Sequence, residues 1–201
     1  MFTLLLSLAF AGAPDPELVT EQAPVWLENG GVLTYSVQPP EKDAYDFVVT
    51  VMATRPDRTF RWTMSTGQAG ERTTLAADRS RSRMLSDHFI DGESGARTRA
   101  TSMWISERAF ADIAKKGTTK IWVDGNPIPF AYDKFIRWPV GWGEETRELI
   151  GLHMVSVTKG VPDGQIDFIV LANREEPLVL DLEARGGFAV WLRTVQEPSG
   201  D

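Results

Sequence analysis

Apolar and polar residues alternate with period two along most of this chain. Leu33, Tyr35 and Val37 alternate with Thr34 and Ser36, and Phe47, Val49 and Val51 form one face of the run that follows. Phe60, Trp62 and Met64 alternate with Arg61 and Thr63. Such spacing sends one face of a strand into a core and leaves the other in water. Further strands are predicted at 103–105, 121–123, 152–159, 165–172, 178–183 and 188–195. Asp124-Gly125-Asn126-Pro127 ends the 121–123 strand with strong turn chemistry. Gly160-Val161-Pro162-Asp163-Gly164 predicts the loop of a hairpin, and Arg185-Gly186-Gly187 predicts the turn into the last strand.

One segment breaks the alternation. Residues 106–117 predict a short helix over about 107–116, with Ser106 as N-cap and Glu107 at the positive end of the dipole. Lys115 and Lys116 sit at the negative end, and Gly117 suits the left-handed residue after the helix. Phe110, Ile113 and Ala114 share a face, so a helix this short must lie on the sheet. About nine strands and one helix make an all-β protein, an antiparallel β-sandwich or a partly closed β-barrel. The alternation serves both architectures equally.

The first 13 residues, MFTLLLSLAFAGA, differ in kind from the rest. An apolar run ends in Ala9-Phe10-Ala11, with small residues where a signal peptidase reads them. Residues 1–11 are therefore expected to be a signal peptide, although no Lys or Arg precedes the run. The run is far shorter than the ~20 residues of a membrane-spanning helix. Residues 12–24, with three prolines, are read as an extended lead-in, and 25–201 as a single all-β domain. The expected destination is the periplasm or the exterior.

Composition narrows the chemistry. The chain of 201 residues carries a net charge of -7 and no cysteine. Disulfides, thiolate metal sites and cysteine nucleophiles are excluded. The acidic balance argues against a nucleic-acid partner. Two histidines, His88 and His153, are too few for a His-rich metal centre. His88 lies beside Asp87 and Asp91, but as part of a strand end. Gly92-Glu93-Ser94-Gly95-Ala96 lacks the second glycine of a nucleophile elbow. Ser156-Val157-Thr158-Lys159 stands on a strand without its partner motifs. No catalytic residue, metal site or cofactor is assigned.

Two groups of residues stand out as binding candidates. Arg79, Arg81 and Arg83 recur at period two and, on a strand, would form a weak anion-binding row of guanidinium forks. They fall in a basic middle stretch, 58–143, of net charge +5, between flanking stretches of net charge -6 each. Cross-strand pairing between these blocks is the plain alternative to a basic face. Seven tryptophans are many for this length. Trp26, Trp62, Trp104, Trp122 and Trp191 fall in predicted strands and read as core or near-core. Arg137, Trp138 and Trp142 lie in a predicted Pro/Gly loop, where two flat rings would offer a ligand platform or close the end of the sandwich. The expectation is an exported, non-enzymatic protein that binds an apolar or lipid-like ligand or an envelope protein. The alternative is a glycan-binding or glycan-active module built on the tryptophan loop.

The leader yields a direct prediction. N-terminal sequencing of protein recovered from the envelope or medium should read Gly12 first; a cytoplasmic chain that retains Met1 would overturn the export reading.

Overall fold

The computed structural model describes residues 12–198 except 23, 87 and 124, so the expected signal peptide lies outside the described residues. Among the described residues, twelve strands and two short α-helices follow two 3-10 turns, Pro16–Leu18 and Val25–Leu27. They are β1 Val32–Gln38, β2 Tyr45–Ala53, β3 Arg58–Met64, β4 Ala69–Thr74, α1 Ala76–Arg81, β5 Met84–Leu85 and β6 Ala96–Arg97. Then come α2 Glu107–Lys116, β7 Thr118–Val123, β8 Asn126–Trp142, β9 Glu145–Thr158, β10 Val161–Leu171, β11 Val179–Ala184 and β12 Phe188–Gln196. The protein is all-β, as the alternation predicts.

The strands join in one sheet, ordered β5-β7-β8-β9-β10-β11-β12-β1-β2-β3-β4-β6. β1 occupies one edge of β12 along its whole length. The opposite edge is shared: β11 pairs with residues 188–191, and the end of β8 pairs in parallel with Thr194 and Val195. This second contact closes β8 through β12 into a ring, from which β1 to β4 extend. Both expected architectures are thus present in part: a partly closed barrel continued by an open sheet.

Two apolar cores lie on either side of a shared wall. Leu33, Tyr35, Phe47, Phe60, Trp62, Ile169, Leu171, Leu178 and Leu180 belong to the first. Phe110, Ile113, Phe130, Leu152, Met154, Phe168, Val170, Val179 and Leu182 belong to the second. β10 therefore buries both faces, and its run Phe168-Ile169-Val170-Leu171 is continuously apolar because neither face meets water. Along β11 the register shifts, and Leu180 joins the first core while Leu182 joins the second. Leu180 and Leu182, two residues apart, therefore serve different cores because of that bulge.

The predicted helix forms as read. Ser106 Oγ accepts from the Ala109 amide at 3.1 Å, and Gly117 takes φ 68°. Its apolar side, Ala109, Phe110 and Ile113, covers the second core.

The largest departure is β8. Residues 126–142 were expected to hold a turn and a Pro/Gly loop; they form one long strand. Its prolines stand where a ladder runs on one side only. Pro127 and Pro129 pair with β7 before β9 begins at Phe130, and Pro139 pairs with β9 before β12 arrives at Gly141. A residue without an N–H is tolerated at such edges. The β9–β10 hairpin forms, but its turn is Lys159-Gly160, both at positive φ, while residues 163–166 bulge within β10 between paired Pro162 and Asp167. Ser156 Oγ donates to Asp163, and the amides of Gln165 and Ile166 donate back to Ser156 Oγ at 3.2 and 2.9 Å, which fastens the bulge. The predicted 103–105 strand is reduced to a single bridge, Trp104 to Leu178, with Met103 beside it at φ 61°. The lead-in is docked by Asn173, whose Nδ2 donates to Thr20 Oγ1 and the Gln22 carbonyl.

Trp62 is the test of packing. It is 1% exposed, stacks on Phe47 at 6.0 Å and meets Phe89 edge-on at 5.3 Å. Gly70 lies opposite it, and a Cβ there would come within 2.8 Å of the indole. Trp62→Ala should cost about 3–5 kcal/mol in a denaturant melt, and Gly70→Ala about 1–3 kcal/mol by overpacking. A loss below about 1 kcal/mol for the tryptophan variant would contradict this packing.

Candidate functional site

α1 places the candidate site. The expected row of guanidinium forks does not form, because residues 76–81 are helical and the side chains at 79, 81 and 83 fan out. Arg79 turns inward and is 6% exposed. Arg83 is tied to Asp112 at 2.5 Å and to the Lys120 carbonyl at 3.1 Å. Arg81 is exposed and lines a cleft of about 400 Å³ with Asp78, Ser82, Arg83, Arg99 and Trp122.

The backbone around this cleft is firmly held. Met84 pairs with Trp122 in the parallel β5–β7 ladder, and the Trp122 amide donates to the Arg83 carbonyl. The Arg99 amide donates to Asp78 Oδ2 at 3.0 Å, and Ser82 Oγ donates to the Arg99 carbonyl at 2.7 Å. Arg99, at φ 68°, is thereby fixed beside the end of α1. Trp122 is 39% exposed, against the expectation that it is core or near-core. Alternation within β7 carries the signal for this. Thr119 and Ile121 point inward, leaving Thr118, Lys120 and Trp122 outside. The Arg81 and Arg99 guanidinium groups have no ion-pair or hydrogen-bond partner among the described residues. The cleft therefore combines a half-exposed indole, two unengaged planar cations and the engaged Arg83. Nothing in the sequence near Arg99 marks it as a member.

The expected tryptophan platform is arranged differently. Trp138 and Trp142 sit at alternate turns of the pleat on β8, both half-buried. Trp138 Nε1 donates to the Leu192 carbonyl at 3.1 Å, and Trp142 meets Trp26 edge-on at 6.0 Å. Arg147 covers the Trp142 ring at 4.3 Å. Arg137 is exposed and paired with Glu148 at 2.9 Å. Both rings pack against the first core as partly buried side chains.

Behind α1 lies a buried charge cluster that the sequence does not announce. Glu176, 1% exposed, bonds Arg58, itself 2% exposed, and lies 3.7 Å from Arg79 Nη2. Arg58 also stacks over Trp104 at 4.3 Å. Burial lowers the Arg58 pKa to about 10 in spite of Glu176 beside it, and the neighbouring charge of Arg79 adds to the fall. Burial pushes the Glu176 carboxyl up, against the pull of Arg58 and Arg79. A second buried guanidinium, Arg72, bonds Glu93 at 2.6 Å and Ser102 at 2.8 Å and lies over Phe89. Trp62 Nε1 donates to the same Glu93 at 3.0 Å, so this group holds the 88–93 segment against the sheet.

No family model matches the chain, and no curated protein resembles it in sequence. Among the described residues no group of three or more His, Asp or Glu side chains could hold a metal. His153 faces Asp133 at 3.0 Å, and the His88 carbonyl accepts from Arg72; Asp87 lies outside the described residues.

One acid is poised to titrate near neutrality. Burial, then the neighbouring charges of Glu183 and Asp167, raises Asp181 to about 7. It lies opposite Ile169 on β10 and Trp191 on β12. An acid raised in the fold costs stability once it ionises. The penalty is absent below about pH 4, grows between pH 4 and 7, and is complete above. Asp181→Asn should therefore stabilise the protein by about 2–4 kcal/mol at pH 8 and by little at pH 4.5, read from urea melts. Equal gains at both values would show that ionisation of Asp181 is not the source.

Proposed function

We propose that this chain is an exported binding protein whose ligand is an acidic glycan, held in the cleft of Trp122, Arg81 and Arg99. The observation that carries this reading is the exposed indole of Trp122 beside two guanidinium groups that have no partner among the described residues. A sugar ring is apolar on its face and polar at its rim, so it stacks on an indole while its substituents meet hydrogen-bond donors. A uronate carboxylate or sulfate matches the fork of an arginine. The cleft's volume of about 400 Å³ suits one or two sugar units. Its hydroxyl, Ser82, already donates its proton to the Arg99 carbonyl at 2.7 Å, which favours holding over converting.

The leader supports export, and the net charge of -7 weighs against a nucleic-acid polymer as the anionic ligand. Among the described residues no helix is long and apolar enough to cross a membrane. The two sheet-lined cores are closed by touching side chains, many of them fully buried, which favours a surface ligand over an apolar one held between sheets.

Titration with acidic oligosaccharides such as oligogalacturonate, followed by tryptophan fluorescence and calorimetry, tests the reading. Trp122→Ala should weaken binding tenfold or more, and Arg81→Ala and Arg99→Ala should each cost about 1–2 kcal/mol of binding energy. All three variants should melt as wild type does, since these side chains are exposed. Equal affinity for neutral and acidic oligosaccharides would remove the role of the arginines. Binding of acidic peptides in place of any sugar would transfer the cleft to a protein partner.

A further inference from the structure

α1 faces a second cleft on its other side, lined by Arg55, Pro56, Ala76, Arg79, Ser80 and Glu107, with a volume of about 530 Å³. We propose that this cleft binds a carboxylate group, with the guanidinium of Arg79 as its anchor. The Arg79 side chain is 6% exposed, and its Nη1 donates to the carbonyls of Thr54 and Pro56, which fixes the plane of the group. Its Nη2 is different. The nearest carboxylate oxygens stand at 3.7 Å on Glu176 and 3.9 Å on Glu107, beyond hydrogen-bond length. A nine-tenths-buried cation therefore lines an open cleft with a donor that has no acceptor at hydrogen-bond distance among the described residues.

Charge accounting explains why the donor is left over. Glu176 is committed to Arg58, so two buried guanidinium groups share one buried carboxylate. The surplus is one positive charge, carried at the cleft by Arg79. Glu107, 48% exposed at the first turn of α2, is the loose counterion that now stands off from it. Arg55 is exposed and engaged with Glu175 at 2.8 Å. A ligand carboxylate laid on Nη2 matches the single surplus charge and displaces Glu107 towards water. A phosphate dianion would bring twice the charge against the carboxylates of Glu107 and Glu175, so the cleft favours the monoanion.

The site is independent of the Trp122 cleft, and its test is arranged to keep the two apart. The probes are acetate and inorganic phosphate at fixed ionic strength and pH 7.5, followed by ¹H–¹⁵N NMR. The signals read are the Arg79 side chain, the amides of residues 76–80 and those of residues 107–108. Acetate should shift these signals saturably in the millimolar range, and Trp122→Ala should leave the response unchanged. Glu107→Gln, which removes the competing carboxylate from an exposed position, should tighten acetate about threefold or more. Arg79→Lys keeps the charge but loses the fork and should abolish saturation. Should Arg79→Lys fail to fold, the Glu107→Gln comparison decides alone. Linear, non-saturating shifts, an unchanged affinity in Glu107→Gln, or phosphate binding as tightly as acetate would each overturn the proposal.

Discussion

The candidate region depends on one buried carboxylate. Glu176 reaches from the segment before β11 to Arg58 at the start of β3 and towards Arg79 in α1. Removing two arginines and an acid from water is expensive, and only their mutual pairing makes the arrangement tolerable. The Glu176 amide is itself held by Asn173 Oδ1 at 2.7 Å, and Asn173 also fastens the lead-in at Thr20 and Gln22. A single polar node thus joins four stretches that are far apart in sequence. α1 has six residues and buries only Arg79, so its position is set by that node rather than by an apolar face. Both clefts inherit their geometry from it.

The wall between the cores imposes the complementary constraint. β10 and the start of β11 bury apolar side chains on both faces, so polar side chains can appear there only where the wall runs out towards solvent. Asp181 marks that boundary. It lies beside Ile169, one residue before buried Leu182, and is pushed up chiefly by burial and then by the neighbouring acids Glu183 and Asp167. Closure of the ring at Thr194 and Val195 leaves β1 to β4 as an open sheet. The loops beyond β4 must then fold back over its first core. Arg72 and Glu93 make that return possible, by satisfying one another where an apolar side chain could not reach the Ser102 hydroxyl and the His88 carbonyl.

The all-β class, the capped helix and the inward face of β3 were legible because each is a local pattern with a local cause. Ser106 and Gly117 bracket the helix whatever surrounds it, and Phe60 and Trp62 need only a core on one side. β8 was not legible. Its prolines read as breakers because period and composition do not reveal that one edge of the strand lacks a neighbour at 127, 129 and 139. The arginine row failed for a related reason: period two in 79–83 is also what a six-residue helix followed by an extended residue produces by chance. Arg81 stands out in the sequence as an anion-binding candidate, but the residues that share its cleft, Trp122 and Arg99, lie on β7 and beyond β6. The parallel β5–β7 pairing that brings Trp122 beside α1 is a long-range event with no local signature.

The overall charge and the local charge of this protein pull in opposite directions, and that opposition has a consequence for selectivity. With a net charge of -7, the molecule repels a long polyanion as a whole. At physiological salt this repulsion is screened over about 8 Å, whereas a guanidinium and a carboxylate in contact are screened far less. Under the proposed reading, a ligand carrying one or a few acidic groups on a small frame would meet Arg81, Arg99 or Arg79 at short range without facing the repulsion of the whole surface. A densely charged polymer meets both. The basic middle stretch meets the C-terminal anionic one in pairs such as Arg137 with Glu148 and Arg58 with Glu176. On the reading proposed for the two clefts, the cations on either side of α1 are where a small acid would be distinguished from its neutral counterpart.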